Sequence, residues 1–155
     1  MNKGFSLTEV IIAIFIIIIG IIGAMGLITY SISNVTVGKS QIIAASLAQE
    51  GMEIVRNIRD TNWKEDVDWN DGLDNGNYRI QYNSLGLMSL SGNPALRIDS
   101  NGFYQYSSGT NTRFHREIII TNLSAIEIKV ISKVTWDERS RSYEIEAESR
   151  LFDWK

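Results

Sequence analysis

Residues 3–9 read Lys-Gly-Phe-Ser-Leu-Thr-Glu, and residues 10–28 directly after them are only Val, Ile, Ala, Phe, Gly, Met and Leu. A run of this length predicts a helix that crosses a bilayer, because about 20 residues rising ~1.5 Å each span a ~30 Å hydrocarbon core. Glu9 stands at the start of the run, and no basic residue follows it before Lys39. A carboxylate at membrane depth is costly, so we expect Glu9 to have a functional partner.

An amino terminus created by cleavage is the nearest cation that Glu9 can reach. If the chain is cut between Gly4 and Phe5, the new amine lies four residues before Glu9, or ~6 Å along a helix. This spacing indicates that the start of the chain is a processing and assembly signal.

The same residues carry a family resemblance. The segment Gly4–Val10, followed by an Ile-rich run, resembles the cleavage and methylation motif of type IV pilins and pseudopilins. The resemblance implies that prepilin peptidase, a membrane aspartyl protease, cuts after Gly4 and N-methylates Phe5. It also implies that Glu9 pairs with the terminal amine of a neighbouring subunit. The expected partners are therefore the peptidase, other pilin or pseudopilin subunits and the lipid bilayer.

Two simpler interpretations explain the segment less well. A secretory signal peptide has a shorter apolar region and a small-residue cleavage site, which residues 24–26 match poorly. A plain signal anchor fits the hydropathy but leaves Glu9 unexplained. Lys3 and the initial amine predict a cytoplasmic leader by the positive-inside tendency. We therefore expect a single-pass inner-membrane protein, with the chain after Ile28 outside the cytoplasm and in a surface or periplasmic filament after assembly.

Composition excludes several function classes. Fifteen Lys and Arg against eighteen Asp and Glu give a net charge of −3 without a basic cluster, which argues against nucleic acid as a direct partner. There is no cysteine, so no disulfide is expected. With His115 as the only histidine, neither a nucleophile–base pair nor an imidazole metal site can be assembled. We predict no enzyme, no catalytic residue, no cofactor and no metal.

The helical pattern continues beyond the apolar run. Residues 40–59 contain no proline, and small or apolar residues recur at steps of three and four. These positions are Ala44, Leu47, Ala48, Gly51, Val55 and Ile58. We predict one helix from Phe5 to about Arg59, with a stop at residues 60–62. Its small residues are expected to let a sheet approach the helix closely.

Three glycines lie within the apolar run, at Gly20, Gly23 and Gly26, where many pilins have a kinking proline. Small residues in a membrane helix permit close packing against neighbouring helices. Glycine also lowers helix stability, by about 1 kcal/mol relative to alanine in water. Tight subunit packing and local unwinding during assembly both remain open.

The loop at residues 66–76 is rich in Asp, Asn and Gly. Its oxygen ligands at alternate positions suggest a calcium loop, but the glycine comes one place late and no closing glutamate follows. A turn-rich connector is the favoured interpretation, with calcium binding as the alternative. A second open question concerns Trp63, Trp69, Tyr104 and Tyr106, which are either a recognition surface or, as favoured, core and rim residues.

Period-two alternation dominates the rest of the chain and predicts antiparallel strands. The clearest pair lies on either side of residues 137–140, where a hairpin with one buried face is expected. Lys133 and Glu146 are predicted to pair across its exposed face. Residues 134–139 and 151–154 also resemble the C-terminal hairpin of minor pilins. Within that group the chain is most similar to the type IV pilus modification protein V family and the I-type minor pseudopilins of type II secretion.

These observations predict an α+β, pilin-like fold in which a long N-terminal helix, transmembrane in its first half, packs on an antiparallel sheet of about four to six strands. The expected segments are a leader (1–4), a transmembrane assembly helix (5–30) and a globular domain (31–155) made of a helix half (31–59), a loop (60–76) and a sheet (77–155). The predicted function is that of a structural minor subunit of a type IV pilus-like filament or a type II secretion system. The alternative is a membrane-anchored adhesin or receptor domain that does not polymerise. The sequence does not separate pilus, secretion and DNA-uptake systems.

Overall fold

The computed structural model describes residue 4 and residues 6–154. One helix precedes seven strands: α1 (Leu7–Lys64), β1 (Gly76–Arg79), β2 (Met88–Ser89), β3 (Ala95–Ile98), β4 (Tyr104–Gln105), β5 (Thr110–Ser124), β6 (Glu127–Glu138) and β7 (Arg141–Phe152). The chain divides into two compact units, residues 1–40 and residues 41–155. The fold class is α+β, as predicted.

In the first unit, the helix begins just after Ser6. The carbonyl oxygen of Ser6 accepts hydrogen bonds from the backbone N–H groups of Glu9 and Val10, at 3.0 and 3.3 Å. The helix runs through all three glycines of the apolar stretch without a break. Every residue from Leu7 to Ile32 is exposed, so this part of the helix buries no side chain within the protein.

The helix ends at Lys64, five residues beyond Arg59, so the predicted stop at residues 60–62 is wrong. The backbone N–H of Val67 donates to the Asn62 carbonyl at 3.1 Å, and Asp66 adopts a left-handed conformation with φ 59°. This is the Schellman pattern of a helix C-terminus, and it places the end after residue 64.

Asn62 does not stop the helix because its side chain is used elsewhere. Its amide donates to the carbonyl oxygens of Trp69 and Asp71, at 3.2 and 2.9 Å. The polar group that suggested a helix stop therefore holds the following loop against the helix.

The seven strands of the second unit form one antiparallel sheet, with β5 at its centre. Strand β5 pairs with β1 and β3 along one side and with β6 along the other. The 12-residue strand β7 then pairs with β6 and ends the sheet. The count exceeds the expected four to six because β2 and β4, with two residues each, lack a sequence signal.

The predicted hairpin is formed by β6 and β7. Arg139 and Ser140 make a two-residue turn in which both residues have positive φ, 53° and 59°, as a type I′ turn requires. Lys133 lies opposite Glu146, and their side chains form the predicted ion pair at 3.2 Å. Glu144 also approaches the Lys133 ammonium, at 2.8 Å.

The core of the second unit lies between the C-terminal part of α1 and one face of the sheet. All six residues of the predicted helix stripe are buried. Gly51 permits the closest approach, because a Cβ atom there would lie 2.5 Å from the Ser132 hydroxyl and 3.0 Å from Ile118 Cδ1. The expected close packing of sheet on helix is confirmed at this glycine.

Candidate functional site

Glu9 lies in the first turn of α1, the favourable end of a helix for an acidic side chain. Its side chain is exposed, and the Ser6 and Thr8 hydroxyls bond to each other at 2.8 Å just before it. Gly4, the predicted last leader residue, is also exposed. Phe5, the predicted methylated terminus, and Lys3 lie outside the described residues. The functional pairing of Glu9 therefore remains a prediction.

A continuous apolar surface follows Glu9. Phe15 and Ile22, for example, are 64% and 65% exposed, and the helix is long and apolar enough to cross a membrane. A contiguous apolar surface of this extent requires lipid or other apolar helices around it. The helix thus fits a membrane-anchored, single-pass protein.

Polar side chains near the end of this surface are satisfied within the helix. The hydroxyls of Thr29 and Thr36 donate to the carbonyl oxygens of Met25 and Ile32, each at 2.9 Å. Such bonds remove the cost of a hydroxyl in an apolar medium. Because no Asp, Glu, Lys or Arg occurs from residue 10 to residue 38, Glu9 is the one charged side chain that belongs to this stretch.

The three glycines of the apolar stretch, Gly20, Gly23 and Gly26, are open on the helix surface. A Cβ atom added at any of them would meet nothing within 4 Å. Close packing against a neighbouring helix and local unwinding both remain interpretations of these positions.

The acidic loop at residues 66–76 is a packed connector. Leu73 and Trp69 are buried in the core, and Asn62 holds the loop backbone. Within residues 6–154, no three His, Cys, Asp or Glu side chains come together in a way that could hold a metal ion. The favoured interpretation of the loop therefore agrees with its geometry.

The four aromatic residues considered as a recognition surface do not form one. Trp69 is buried, and Trp63 packs edge-on against Trp154 at 4.9 Å. Tyr104 packs on Phe114 in a different part of the core. These side chains are core and rim residues, as favoured.

His115 is a half-buried residue of β5. Its Nδ1 lies 2.7 Å from the carbonyl oxygen of Asn93, which ties the strand to the loop before β3.

Arg116 is the residue that sequence reasoning missed. Its guanidinium is fully buried, with Nη1 donating to the Leu47 carbonyl at 3.0 Å and to Glu50 at 3.2 Å. Its Nη2 donates to the Ile80 carbonyl at 2.6 Å. The available signal was its position: Arg116 lies between Phe114 and Ile118 on the inward-facing side of the strand.

Tyr106 completes this buried polar cluster. Its hydroxyl donates to the Arg116 carbonyl oxygen at 3.2 Å. Burial raises the pKa of Tyr106 above its ordinary value, against the smaller opposing effect of the Arg116 and Arg79 charges. The cluster joins the helix to the sheet.

Comparison with known proteins gives one match. The family described as "Prokaryotic N-terminal methylation motif" matches residues 1–25. No curated protein and no solved structure matches the chain. The motif indicates prepilin-type processing and, together with the fold, supports a type IV pilin-like protein. Families with this motif are structural subunits rather than enzymes.

Proposed function

We propose that the protein is a minor pilin or pseudopilin, a structural subunit of a type IV pilus-like filament or a type II secretion system. One observation carries the proposal: a prepilin methylation motif, matched at residues 1–25, extends into an exposed apolar stretch of α1 in which Glu9 is the one charged residue before Lys39. An apolar helix with a single acid at its start is suited to side-by-side assembly.

In this proposal, residues 1–4 are the leader that prepilin peptidase removes. The new terminus is Phe5, which is N-methylated and keeps a positive charge. Residues 5–30 store the subunit in the inner membrane, and residues 31–155 form a domain outside the cytoplasm. The charge of Lys3 on the short side supports this orientation.

Assembly would pair Glu9 with the terminal ammonium of a neighbouring subunit. Exchanging lipid for other Ile-rich helices gains little from the hydrophobic effect, because both environments are apolar. Neutralising a carboxylate at membrane depth gains more, on the order of a few kcal/mol. The charge pair therefore favours association with another cleaved subunit over solitary storage in lipid.

The assignment to a minor rather than a major subunit has a narrower basis. It rests on the resemblance of residues 134–139 and 151–154, in and just after the β6–β7 hairpin, to minor pilins. The hairpin has the long paired strands and the short turn that this resemblance requires.

The assembly step is tested by Glu9→Val in cells that contain the pilus or secretion machinery. We expect the variant to be cleaved and stored in the membrane, but to lose most of its co-purification with other pilin subunits. Thr8→Val is the matched control, because it also replaces a polar residue by valine one position earlier. Equal co-purification of the two variants would favour the membrane-anchored adhesin or receptor, which has no need of Glu9.

A further inference from the structure

Strand β7 leaves one long edge of the sheet open. Within residues 6–154, β7 pairs with β6 and with no other strand. Its 12 residues are long for an edge strand, since exposed edges in native sheets are usually short or covered. An edge of this length is a template for an added strand.

The hydrogen-bonding pattern of the β6–β7 hairpin determines which backbone groups face this edge. A two-residue turn makes Glu138 and Arg141 a hydrogen-bonded pair, and such pairs alternate with non-hydrogen-bonded pairs along the two strands. At the far end, the Asp153 N–H donates to the Ile126 carbonyl at 2.9 Å, so these two residues are also a hydrogen-bonded pair, as the alternation requires. Glu144, Glu146 and Glu148 therefore direct their N–H and C=O groups to the open edge.

These three residues also place their side chains on one face of the sheet, because they alternate along the strand. The side chains of Glu144 and Glu146 are 61% and 45% exposed, and both contact the single ammonium of Lys133. The edge thus offers unpaired backbone groups and an excess of negative charge at the same residues.

A groove lies beside this edge, on the side of the sheet that α1 covers. Its volume is about 610 Å³, and it is bordered by Ala147 and Glu148 of β7 and by the helix. The helix residues along it are mostly polar: Ser46, Gln49, Glu50, Met52, Glu53 and Arg56. Arg56 reaches across to the Ser149 hydroxyl at 3.2 Å. The inward side chains of an added strand would lie in the part of the groove beside Ala147.

A second copy of β7 fits the edge poorly in its most extensive pairing. In an antiparallel pair centred on Glu146, Glu144 would face Glu148 of the other chain and Glu146 would face itself. Like charges directly opposite destabilise a strand pair. The glutamates therefore oppose self-pairing, as charged edge residues do in native sheets.

We infer that the open edge of β7 binds an extended segment of another protein, with Lys or Arg at every second position and small residues between them. The basic side chains lie beside Glu144, Glu146 and Glu148, and the others enter the groove next to Ala147. The inference does not depend on cleavage at Gly4, because every contributing residue belongs to the second unit.

The test uses the full chain in detergent micelles and a fluorescent peptide of about nine residues that alternates Lys and Val. A peptide of the same composition with its lysines grouped together controls for unspecific charge attraction. We expect the alternating peptide to bind about tenfold more tightly, because it alone places charges and backbone groups in register. Equal binding of the two peptides would overturn the inference.

Two variants at one position separate backbone from charge. Glu146→Gln and Glu146→Pro remove the same charge, but only proline removes the N–H that faces the edge, and proline is tolerated on edge strands. We expect Glu146→Pro to bind the alternating peptide about tenfold more weakly than Glu146→Gln. Equal affinities of the two variants in folded protein would exclude strand addition.

A charge exchange provides a test that does not need proline to be accommodated. The double variant Glu146→Lys, Glu148→Lys keeps every backbone group and reverses the charge of the edge. We expect it to prefer a peptide that alternates Glu and Val over the Lys–Val peptide. An unchanged preference for the Lys–Val peptide would refute the inference.

Discussion

Arg116 and Glu50 form an ion pair at 3.2 Å, in which the arginine side chain is fully buried and the glutamate is 34% exposed. The pair joins the central strand β5 to helix α1. A buried guanidinium is costly unless its charge and donors are satisfied. Two backbone carbonyls and the Glu50 carboxylate accept hydrogen bonds from its two terminal nitrogens, whereas Nε is buried without a partner among the described residues. Glu50 is therefore the counter-ion on which the buried charge depends.

Glu50→Gln is expected to lower the free energy of unfolding by about 1–3 kcal/mol, because it leaves the buried Arg116 charge without its counter-ion. Urea unfolding of the full chain in mild detergent, followed by tryptophan fluorescence, measures this. Glu53→Gln is the matched control, since Glu53 is 74% exposed and pairs with the partly exposed Arg56. We expect it to change stability by less than about 1 kcal/mol, and similar losses in both variants would contradict this account.

Gly51→Ala is expected to destabilise the protein by about 1–3 kcal/mol, although alanine favours a helix. The new methyl group would lie 2.5 Å from the Ser132 hydroxyl and 3.2 Å from Arg116 Cδ, so these buried side chains or the sheet must shift. Gly38→Ala on the same helix is the control, because nothing lies within 4 Å of its added Cβ. Greater stability of Gly51→Ala in the same urea unfolding would show that the close contact is absent.

Asn62→Ala is expected to cost about 1–3 kcal/mol, because it leaves the buried carbonyl of Trp69 without its donor and also removes the bond to Asp71. Thermal unfolding by circular dichroism measures the loss. Asn57→Ala, at an exposed position of the same helix, should leave stability unchanged or slightly higher. If the two variants melt together, the loop does not depend on Asn62.

We expect the protein to lose stability at alkaline pH because Tyr106 is half-buried. Burial raises its pKa in the folded protein above the ordinary value of 10.0, despite the opposing charges of Arg116 and Arg79. The pH-dependent contribution of Tyr106 to the free energy of unfolding is therefore complete below about pH 10 and is lost as pH rises through the folded-state pKa. The reason is that Tyr106 releases its proton more readily in the unfolded chain than in the folded protein.

Urea unfolding of the wild type and of Tyr106→Phe from about pH 8 to about pH 11 tests this. We expect the wild type to lose more stability than the variant above about pH 10. If the free energies of unfolding of the wild type and the variant change in parallel over the whole pH range, burial does not raise the pKa of Tyr106.

Much of the fold was predictable because it depends on periodicity. The helix stripe around Val55 and the β6–β7 hairpin follow from period 3.6 and period two, and the structure confirms both. Arg116 has the strand position of an inward-facing residue, between Phe114 and Ile118, although arginine is mostly exposed in proteins. Its three partners belong to Leu47, Glu50 and Ile80, which lie 69, 66 and 36 residues away from it in sequence, so local reasoning could not supply them.

The end of α1 was not predictable for a related reason. Asp60-Thr61-Asn62 has the composition of a helix stop, yet the Asn62 amide bonds to a loop seven and nine residues later. The N-terminal motif, in contrast, was predictable, because it depends on a few neighbouring residues and not on contacts with distant parts of the chain. The motif was readable from sequence alone, and the matched family covers it, while the roles of Gly4, Phe5 and Glu9 stay predictions.

The most direct test of the central claim is the mass of the mature amino terminus, measured on protein purified from cells that contain prepilin peptidase. The account predicts a chain that lacks residues 1–4 and begins with N-methylated Phe5. A chain that retains Met1 in those cells, or one cleaved beyond Gly26, would contradict it.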